Sequence, residues 1–148
     1  MAPWEAVARE AIRELVARYA HCADAGRFDE LASLFAEDGV LTITDRKPLR
    51  GRDAIRTFLT DTAASLARGS ATRRLRHHVT SHSITVEHRQ TATGAAYFLV
   101  MASEGPDHWG RYRDRYVAGD DAWCFGERRV RVEGSSRWSA VDPGRYRR

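Results

Sequence analysis

The chain has 148 residues, of which 43% are hydrophobic and 30% charged, and its formal net charge is +4. This length suits one domain with one core, and the composition is ordinary for a globular protein. No apolar run approaches the roughly 18 residues that a membrane helix needs. The N-terminus lacks a signal-peptide pattern, so we expect a cytoplasmic protein with no membrane partner. Basic residues cluster in three places without any nucleic-acid-binding motif, so we expect no nucleic-acid partner either.

The N-terminal part of the chain predicts three helices. The apolar residues of the first helix recur at a three-and-four spacing: Ala8, Ile12, Leu15, Tyr19 and Ala23. Asp24-Ala25-Gly26 ends this helix, because glycine suits a position that needs positive φ. The second helix has its own apolar face: Phe28, Leu31, Ala32, Leu34 and Phe35. A short strand over 40–43 follows, and a third helix then runs from Asp53, its expected N-cap, to Gly69-Ser70.

The remainder of the chain reads as strands over 75–87, 91–103, 109–118 and 122–132, separated by turns at 88–90, 104–107 and 119–121. His88 opens the first of these turns and His108 borders the second, so we interpret both as turn residues and expect them to be exposed. The order of elements predicts an α+β fold, with three N-terminal helices packed on a curved, mostly antiparallel sheet. We expect residues 1–133 to form a single domain and 134–148 a tail that is partly disordered.

The segment Arg76 to His82, RHHVTSH, is the clearest candidate for chemistry. Alternate residues of a strand share a face, so His78 falls on the face of Ile84 and Val86, and His77 on the other. This favours His78 as the inward-facing histidine, although one bulge would reverse the choice. A histidine with a pKa near its usual value of about 6.5 can serve as acid or base at neutral pH.

The chain resembles the SnoaL-like group of the NTF2-like superfamily, which includes scytalone dehydratases, bile-acid dehydratases and ketosteroid isomerases. The matching segments are Tyr19 to Gly39, Arg50 to Ile55, Arg76 to Ile84 and Gly110 to Val130. The resemblance implies a cone whose helices close one side of a bent sheet around a deep apolar pocket. Because proteins of this fold serve as dehydratases, isomerases, cyclases and binders, the fold alone does not settle the function.

The dehydratases of this group pair a strand histidine with an aspartate at the end of the first helix. Asp24 matches that aspartate and the His77/His78 pair matches the histidine, although a carboxylate in a helix-ending turn is also common. In scytalone dehydratases a tyrosine precedes the aspartate and a second histidine lies on the next strand, and this chain has Ala23 and Ala96 there. The resemblance therefore implies a His–Asp dyad without the complete scytalone-type site.

Other candidate residues lie on the last two strands and the first helix. Asp114, between Tyr112 and Tyr116, is either a second pocket acid, as in the cyclases of this fold, or the partner of an arginine. Trp123 and Phe125 share a face and line either the pocket or a dimer contact. Arg128 is placed on the opposite face, where it anchors an anionic substrate or pairs with a carboxylate. Tyr19 is either a pocket residue or part of the helix core.

The leading prediction is a dehydratase or isomerase that uses His–Asp acid/base chemistry on a small apolar carbonyl compound of natural-product type. The alternatives are a cyclase with a pocket aspartate as its base, and a binding module without catalysis. We expect no cofactor and no metal, because the histidines lack metal-site spacing, Cys22 and Cys124 fit no ligand pattern, and no phosphate loop is present. A homodimer packed through the sheet is expected from the fold.

Overall fold

The structure is a computed structural model that describes residues 1–44, 46–67, 74–139 and 141. The predicted end of the third helix at Gly69-Ser70 and most of the predicted tail, residues 140 and 142–148, lie outside the described residues. The predicted α+β architecture is confirmed, since helices pack against a six-stranded, mostly antiparallel sheet.

The helices are α1 (Pro3–Ala25), α2 (Phe28–Ser33) and α3 (Arg52–Ala67). The stripe predicted for α1 is buried at Ala8, Ile12, Leu15 and Tyr19. Gly26 ends α1 with a φ of 70°, which is the left-handed conformation expected of a glycine at this position. The predicted second helix is too long, because α2 stops at Ser33 and Phe35 begins a strand. The Phe35 ring is fully buried and lies 5.2 Å, centroid to centroid, from the Phe125 ring.

The strands are β1 (Phe35–Ile43), β2 (Leu49–Arg50), β3 (Arg76–His88), β4 (Thr91–Ala102), β5 (Gly105–Ala118) and β6 (Trp123–Ser135). Their order in the sheet is β2-β1-β6-β5-β4-β3, and every neighbouring pair is antiparallel except β1–β6. The turn predicted over 104–107 is wrong, because β5 already begins at Gly105. β6 continues to Ser135, two residues beyond the predicted domain boundary.

Three of the register shifts in the described sheet are β-bulges that decide which candidate side chains face the helices. The pairing of β3 with β4 slips by one residue between Thr80 and Ser83, where Ser81 takes a φ of 51°. The pairing of β5 with β6 slips at Gly126, and that of β4 with β5 slips at Asp107. Because a bulge inserts one extra residue, the inward-facing positions change parity on passing it.

The core lies between the helices and the concave face of the sheet. Its larger part joins α1 and α2 to the sheet and includes Ile12, Leu31, Phe35 and Phe125, whereas a smaller cluster lies farther along β4 and β5. Within the described ranges, no helix combines the length and the apolar character that crossing a bilayer requires.

Candidate active site

Asp24 and His77 are in direct contact at the C-terminal end of α1. Oδ1 of Asp24 lies 2.6 Å from Nδ1 of His77, and the backbone N–H of His77 donates to both carboxylate oxygens at 3.1 Å. A carboxylate only accepts hydrogen bonds, so Nδ1 carries the proton and Nε2 has a free lone pair when the ring is neutral. Asp24 therefore does more than close its helix, because it attaches α1 to the start of β3.

The preference for His78 as the inward-facing histidine is wrong. His78 is exposed, whereas the side chain of His77 is only 20% exposed and faces Asp24. The bulge at Ser81 is the cause. Before it the odd-numbered residues His77 and Val79 face inward, and after it the even-numbered residue Ile84 does.

A second histidine–aspartate pair lies beside the first. Nδ1 of His108 lies 2.7 Å from Oδ2 of Asp107, and the His108 side chain is 13% exposed. The expectation of an exposed His108 in a turn is wrong, because this residue belongs to β5 and faces inward. The bulge at Asp107 lets the two successive side chains contact each other, since in a regular strand they would point to opposite faces.

The two histidines approach each other across the sheet. His77 and His108 both pair in register with Val100 of the intervening strand, and their ring centroids are 6.5 Å apart. In the part of the chain that the structure describes, no hydrogen bond engages Nε2 of either ring. Burial lowers the pKa of His108 below its usual value, and the His77 ring lowers it further against the opposing influence of Asp107.

The C-terminal segment after β6 holds Asp107 in place. The hydroxyl of Ser139 donates to Oδ2 of Asp107 at 2.6 Å, and the backbone N–H of Ser136 donates to the Asp107 carbonyl at 2.8 Å. Val141 packs against the smaller core cluster. The described part of the predicted tail thus contributes contacts to this side of the molecule.

Asp114 is buried in an ion pair with Arg128. Its oxygens accept from Nε and Nη2 of Arg128 at 2.9 and 2.8 Å, and one also accepts from the Tyr116 hydroxyl at 2.9 Å. Although burial alone would lower it, the pKa of Arg128 is raised by the Asp114 carboxylate. Asp114 was predicted to be either a second pocket acid or the partner of an arginine, and these contacts correspond to the second role.

The placement of Arg128 opposite Phe125 is wrong. The bulge at Gly126 brings both residues to the inner face, where the guanidinium carbon lies 4.3 Å from the Phe125 ring centroid. The rings of Tyr19 and Tyr112 lie at 4.2 and 3.9 Å from the same carbon. These aromatic side chains pack around the fully buried guanidinium instead of lining an open cleft.

Two further candidates, Tyr116 and Trp123, pack in or against the larger core cluster. Tyr116 is fully buried and accepts a hydrogen bond from Nε2 of His82 at 3.0 Å, because its own hydroxyl proton is directed at Asp114. Trp123 is half-buried at the edge of the larger core cluster. Burial lowers the pKa of His82, so this ring is a neutral donor in a structural network.

An open pocket of about 290 Å³ lies away from both histidines, between the end of β1, β2 and α3. Its walls are formed by Ile43, Arg46, Lys47, Leu49 and Phe58. Among the described residues, no group of three or more His, Cys, Asp or Glu side chains is arranged to hold a metal ion.

Sequence reasoning missed three residues of this site: Asp107, His108 and Ser139. Asp107 and His108 were assigned to a turn, and Ser139 lies in the predicted tail. The adjacent Asp-His pair was a usable signal, but only a bulge makes the neighbours contact each other, and no composition rule places one here.

Comparison with known proteins places the chain in a family. The SnoaL-like domain matches residues 4–129. A crystal structure of a candidate scytalone dehydratase from Novosphingobium aromaticivorans is similar, with 26% identity over 92% of this chain and 91% of the other and a TM-score of 0.78. An NTF2-like protein with a cystatin-like fold from the same species is 26% identical over 95% and 90% of the two chains, with a TM-score of 0.72.

A Mycobacterium tuberculosis protein of unknown function is 27% identical over 90% of this chain and 77% of the other, with a TM-score of 0.76. No curated protein gives a significant match. The domain match covers most of the chain, and the helix-on-sheet fold is that of the similar solved structures, so the chain belongs to the SnoaL-like domain family.

Proposed function

We propose that the protein is an acid/base enzyme of the lyase or isomerase type that acts on a small, apolar, carbonyl-containing molecule without a cofactor. The observation that carries this proposal is the contact between Asp24 and the inward-facing His77. The carboxylate receives both the ring N–H and the backbone N–H of His77, so it fixes the position and the tautomer of the imidazole. The likeness to a candidate scytalone dehydratase supports the same chemistry.

In this mechanism, Nε2 of His77 removes a proton from the carbon next to the substrate carbonyl. Asp24 stabilises the imidazolium that forms, and His77 then returns the proton either to another carbon or to a departing hydroxyl. A positioned proton-transfer group of this kind contributes about 10²–10⁴-fold to the rate. The transfer itself requires only the imidazole and its carboxylate.

Exchange of α-protons for deuterium in D₂O tests this proposal without requiring the complete reaction. A panel of mono- and bicyclic ketones, with and without a β-hydroxyl, is incubated with the protein and followed by NMR. We expect His77→Asn to abolish exchange, because asparagine keeps a donor for Asp24 and lacks Nε2. His78→Asn is the matched control, since His78 is the exposed neighbour.

Two results would contradict the proposal. Equal exchange by the wild type and by His77→Asn would exclude His77 as the base. Tight binding of a panel ketone with no exchange at all would favour the binding module. The cyclase alternative with Asp114 as base is not favoured, because that carboxylate is already engaged by Arg128 and Tyr116.

A homodimer through the outer face of the sheet remains our proposal for the assembly. Tyr97 and Trp109 lie on neighbouring strands and are 59% and 38% exposed, respectively. Light scattering coupled to size exclusion should give twice the monomer mass of 16.7 kDa for the wild type. Tyr97→Lys should reduce that mass toward the monomer, and a monomeric wild type would refute the dimer.

A further inference from the structure

The pocket between β1, β2 and α3 is separate from the candidate active site. Its lining residues are Ile43, Arg46, Lys47, Leu49 and Phe58. In the sheet, β6, β5 and β4 lie between β1, which carries one wall of this pocket, and β3, which carries His77. At about 4.8 Å per strand, the two sites are about 19 Å apart along the sheet. The proposed proton transfer does not use this pocket.

The walls of the pocket combine an apolar surface with two cations. Ile43 and Leu49 are half-buried and pack against the larger core cluster, so the core fixes their position. Phe58 of α3 is also half-buried, whereas Arg46 and Lys47 are exposed. A mostly apolar lining with a few polar groups that orient the ligand is the usual composition of a small-molecule site.

Neither cation of the pocket is neutralised within the described part of the chain. No ion pair or side-chain hydrogen bond there engages Arg46 or Lys47. By contrast, the exposed arginines Arg18, Arg27 and Arg56 of the helical part each pair with a carboxylate, at 3.3, 3.2 and 3.6 Å. The pocket therefore presents positive charge that a ligand can compensate.

The side chain of Arg46 is held by an aromatic contact and a turn. Its guanidinium carbon lies 5.3 Å from the centroid of the Phe58 ring, which is a cation–π distance. Its backbone N–H donates to the Ile43 carbonyl at 3.0 Å. A guanidinium can contact a ring through its face and still donate two parallel hydrogen bonds to a carboxylate in its own plane. Arg46 is thus partly pre-organised to bind an anion beside an apolar wall.

We propose that this pocket is a second ligand site, which binds a small aromatic carboxylate. Arg46 holds the carboxylate, Lys47 adds to the positive charge, and the ring lies against the three apolar side chains. The volume of about 290 Å³ is at the lower end for small-molecule sites, so we expect a ligand of about one or two rings. The proposal does not rest on the role of His77, because the two sites share no residue.

Lys47 provides a selective probe of the pocket, because it is the only lysine of the chain. Reductive methylation with ¹³C-formaldehyde labels Lys47 and the N-terminal amine and keeps both positively charged. 1-Naphthoate is titrated into this protein and followed by ¹H–¹³C correlation spectra. 1-Naphthamide is the matched neutral ring, and acetate is the matched anion without a ring.

We expect 1-naphthoate to shift the methyl signals of Lys47 in a saturable manner and to leave those of the N-terminal amine unchanged. The amide should bind at least about tenfold more weakly, because it lacks the charge that strengthens the hydrogen bonds to Arg46. Acetate should also bind more weakly, because it lacks the apolar body. Equal binding of 1-naphthoate and 1-naphthamide, or no saturable shift of the Lys47 signals, would overturn the proposal.

Variants of the unlabelled protein locate the site by titration calorimetry. Arg46→Gln should weaken the binding of 1-naphthoate by about tenfold or more. Arg113→Gln is the matched control, since it removes an exposed arginine of β5 outside the pocket, and it should leave the affinity unchanged. His77→Asn should leave it unchanged as well.

The outcomes distinguish this proposal from the proposed function. Binding of 1-naphthoate that is lost in His77→Asn and retained in Arg46→Gln would place the ligand in the candidate active site. That result would overturn the second site and leave the acid/base proposal standing. Binding that depends on Arg46, in a protein that exchanges no α-protons of the ketone panel, would support the second site and contradict the proposed function alone.

Discussion

Replacing Asp24 by alanine tests how much of the fold depends on the dyad. The carboxylate, 13% exposed, accepts from two donors of His77, the backbone N–H and the ring N–H. A hydrogen bond to a charged group contributes about 1.5–3 kcal/mol. The ring, at 20% exposed, can recover part of its bond from water, so we place both bonds at the lower end. Asp24→Ala should therefore reduce the free energy of unfolding by about 3 kcal/mol.

Asparagine at the same position separates stability from chemistry. The amide oxygen can accept the backbone N–H of His77, while the amide NH₂ then faces Nδ1. This forces the proton of His77 onto Nε2, which is the wrong tautomer for a base. We expect Asp24→Asn to cost only about 1 kcal/mol of stability and to slow α-proton exchange by about 10⁴-fold, the size of the loss when an orienting carboxylate is replaced by its amide.

Urea unfolding and the exchange assay measure the two effects. Asp61→Asn, an exposed carboxylate of α3, is the matched control and should change the free energy of unfolding by less than about 0.5 kcal/mol. An Asp24→Asn protein that exchanges at the wild-type rate would refute the claim that Asp24 sets the tautomer. An Asp24→Ala protein of wild-type stability would refute the structural part.

Three further predictions follow from the same contacts. His77→Asn should abolish α-exchange, whereas His78→Asn should leave it unchanged. The reverse result would mean that His78 is the inward-facing histidine and that β3 alternates regularly through Ser81. Arg128→Met should destabilise the protein by about 3–5 kcal/mol, because it leaves the Asp114 carboxylate buried without its partner; a loss below about 1 kcal/mol in urea unfolding would contradict this. Burial lowers the pKa of His108 in the folded protein, so below about pH 6.5 the unfolded chain protonates this histidine more readily than the folded chain does. The free energy of unfolding therefore decreases as the pH decreases. In His108→Asn, the melting temperature should depend less steeply on pH in this range. The titratable groups that face His108 are Asp107 and His77, and both are unchanged in this variant. A wild-type dependence of the melting temperature on pH would contradict the prediction.

Secondary structure was predictable because its signals are local. The apolar stripe of α1 and the glycine after it determined the helix and its end. Alternating and β-branched residues placed the four long strands within a few residues of their observed limits. The helix signal failed at Phe35, because an aromatic residue there satisfies either a helix face or a buried strand, and packing against Phe125 decides between them.

The orientation of the site residues was predictable only between bulges. Tyr112, Asp114 and Tyr116 face inward as the alternation predicts, because no bulge interrupts β5 between them. His77 and Arg128 were placed on the wrong faces, since Ser81 and Gly126 each insert one residue. A glycine inside a strand is a recognised sign of a bulge, so Gly126 carried a usable signal. Ser81 carried none, because serine is not expected at positive φ.

The hydrogen-bond donors that contact Asp24, Asp107 and Asp114 differ, and the donor limits what each carboxylate can do. Asp24 and Asp107 accept from imidazoles, which leaves a basic nitrogen free on each ring. Asp114 accepts from a guanidinium, which cannot give up its proton, and from a phenol whose pKa is raised by burial. A base at Asp114 would first have to lose a bidentate partner enclosed by aromatic rings, at a cost of several kcal/mol. We therefore expect proton transfer at Asp24 and its half-buried histidine, and a structural role for the Asp114–Arg128 pair in the interior.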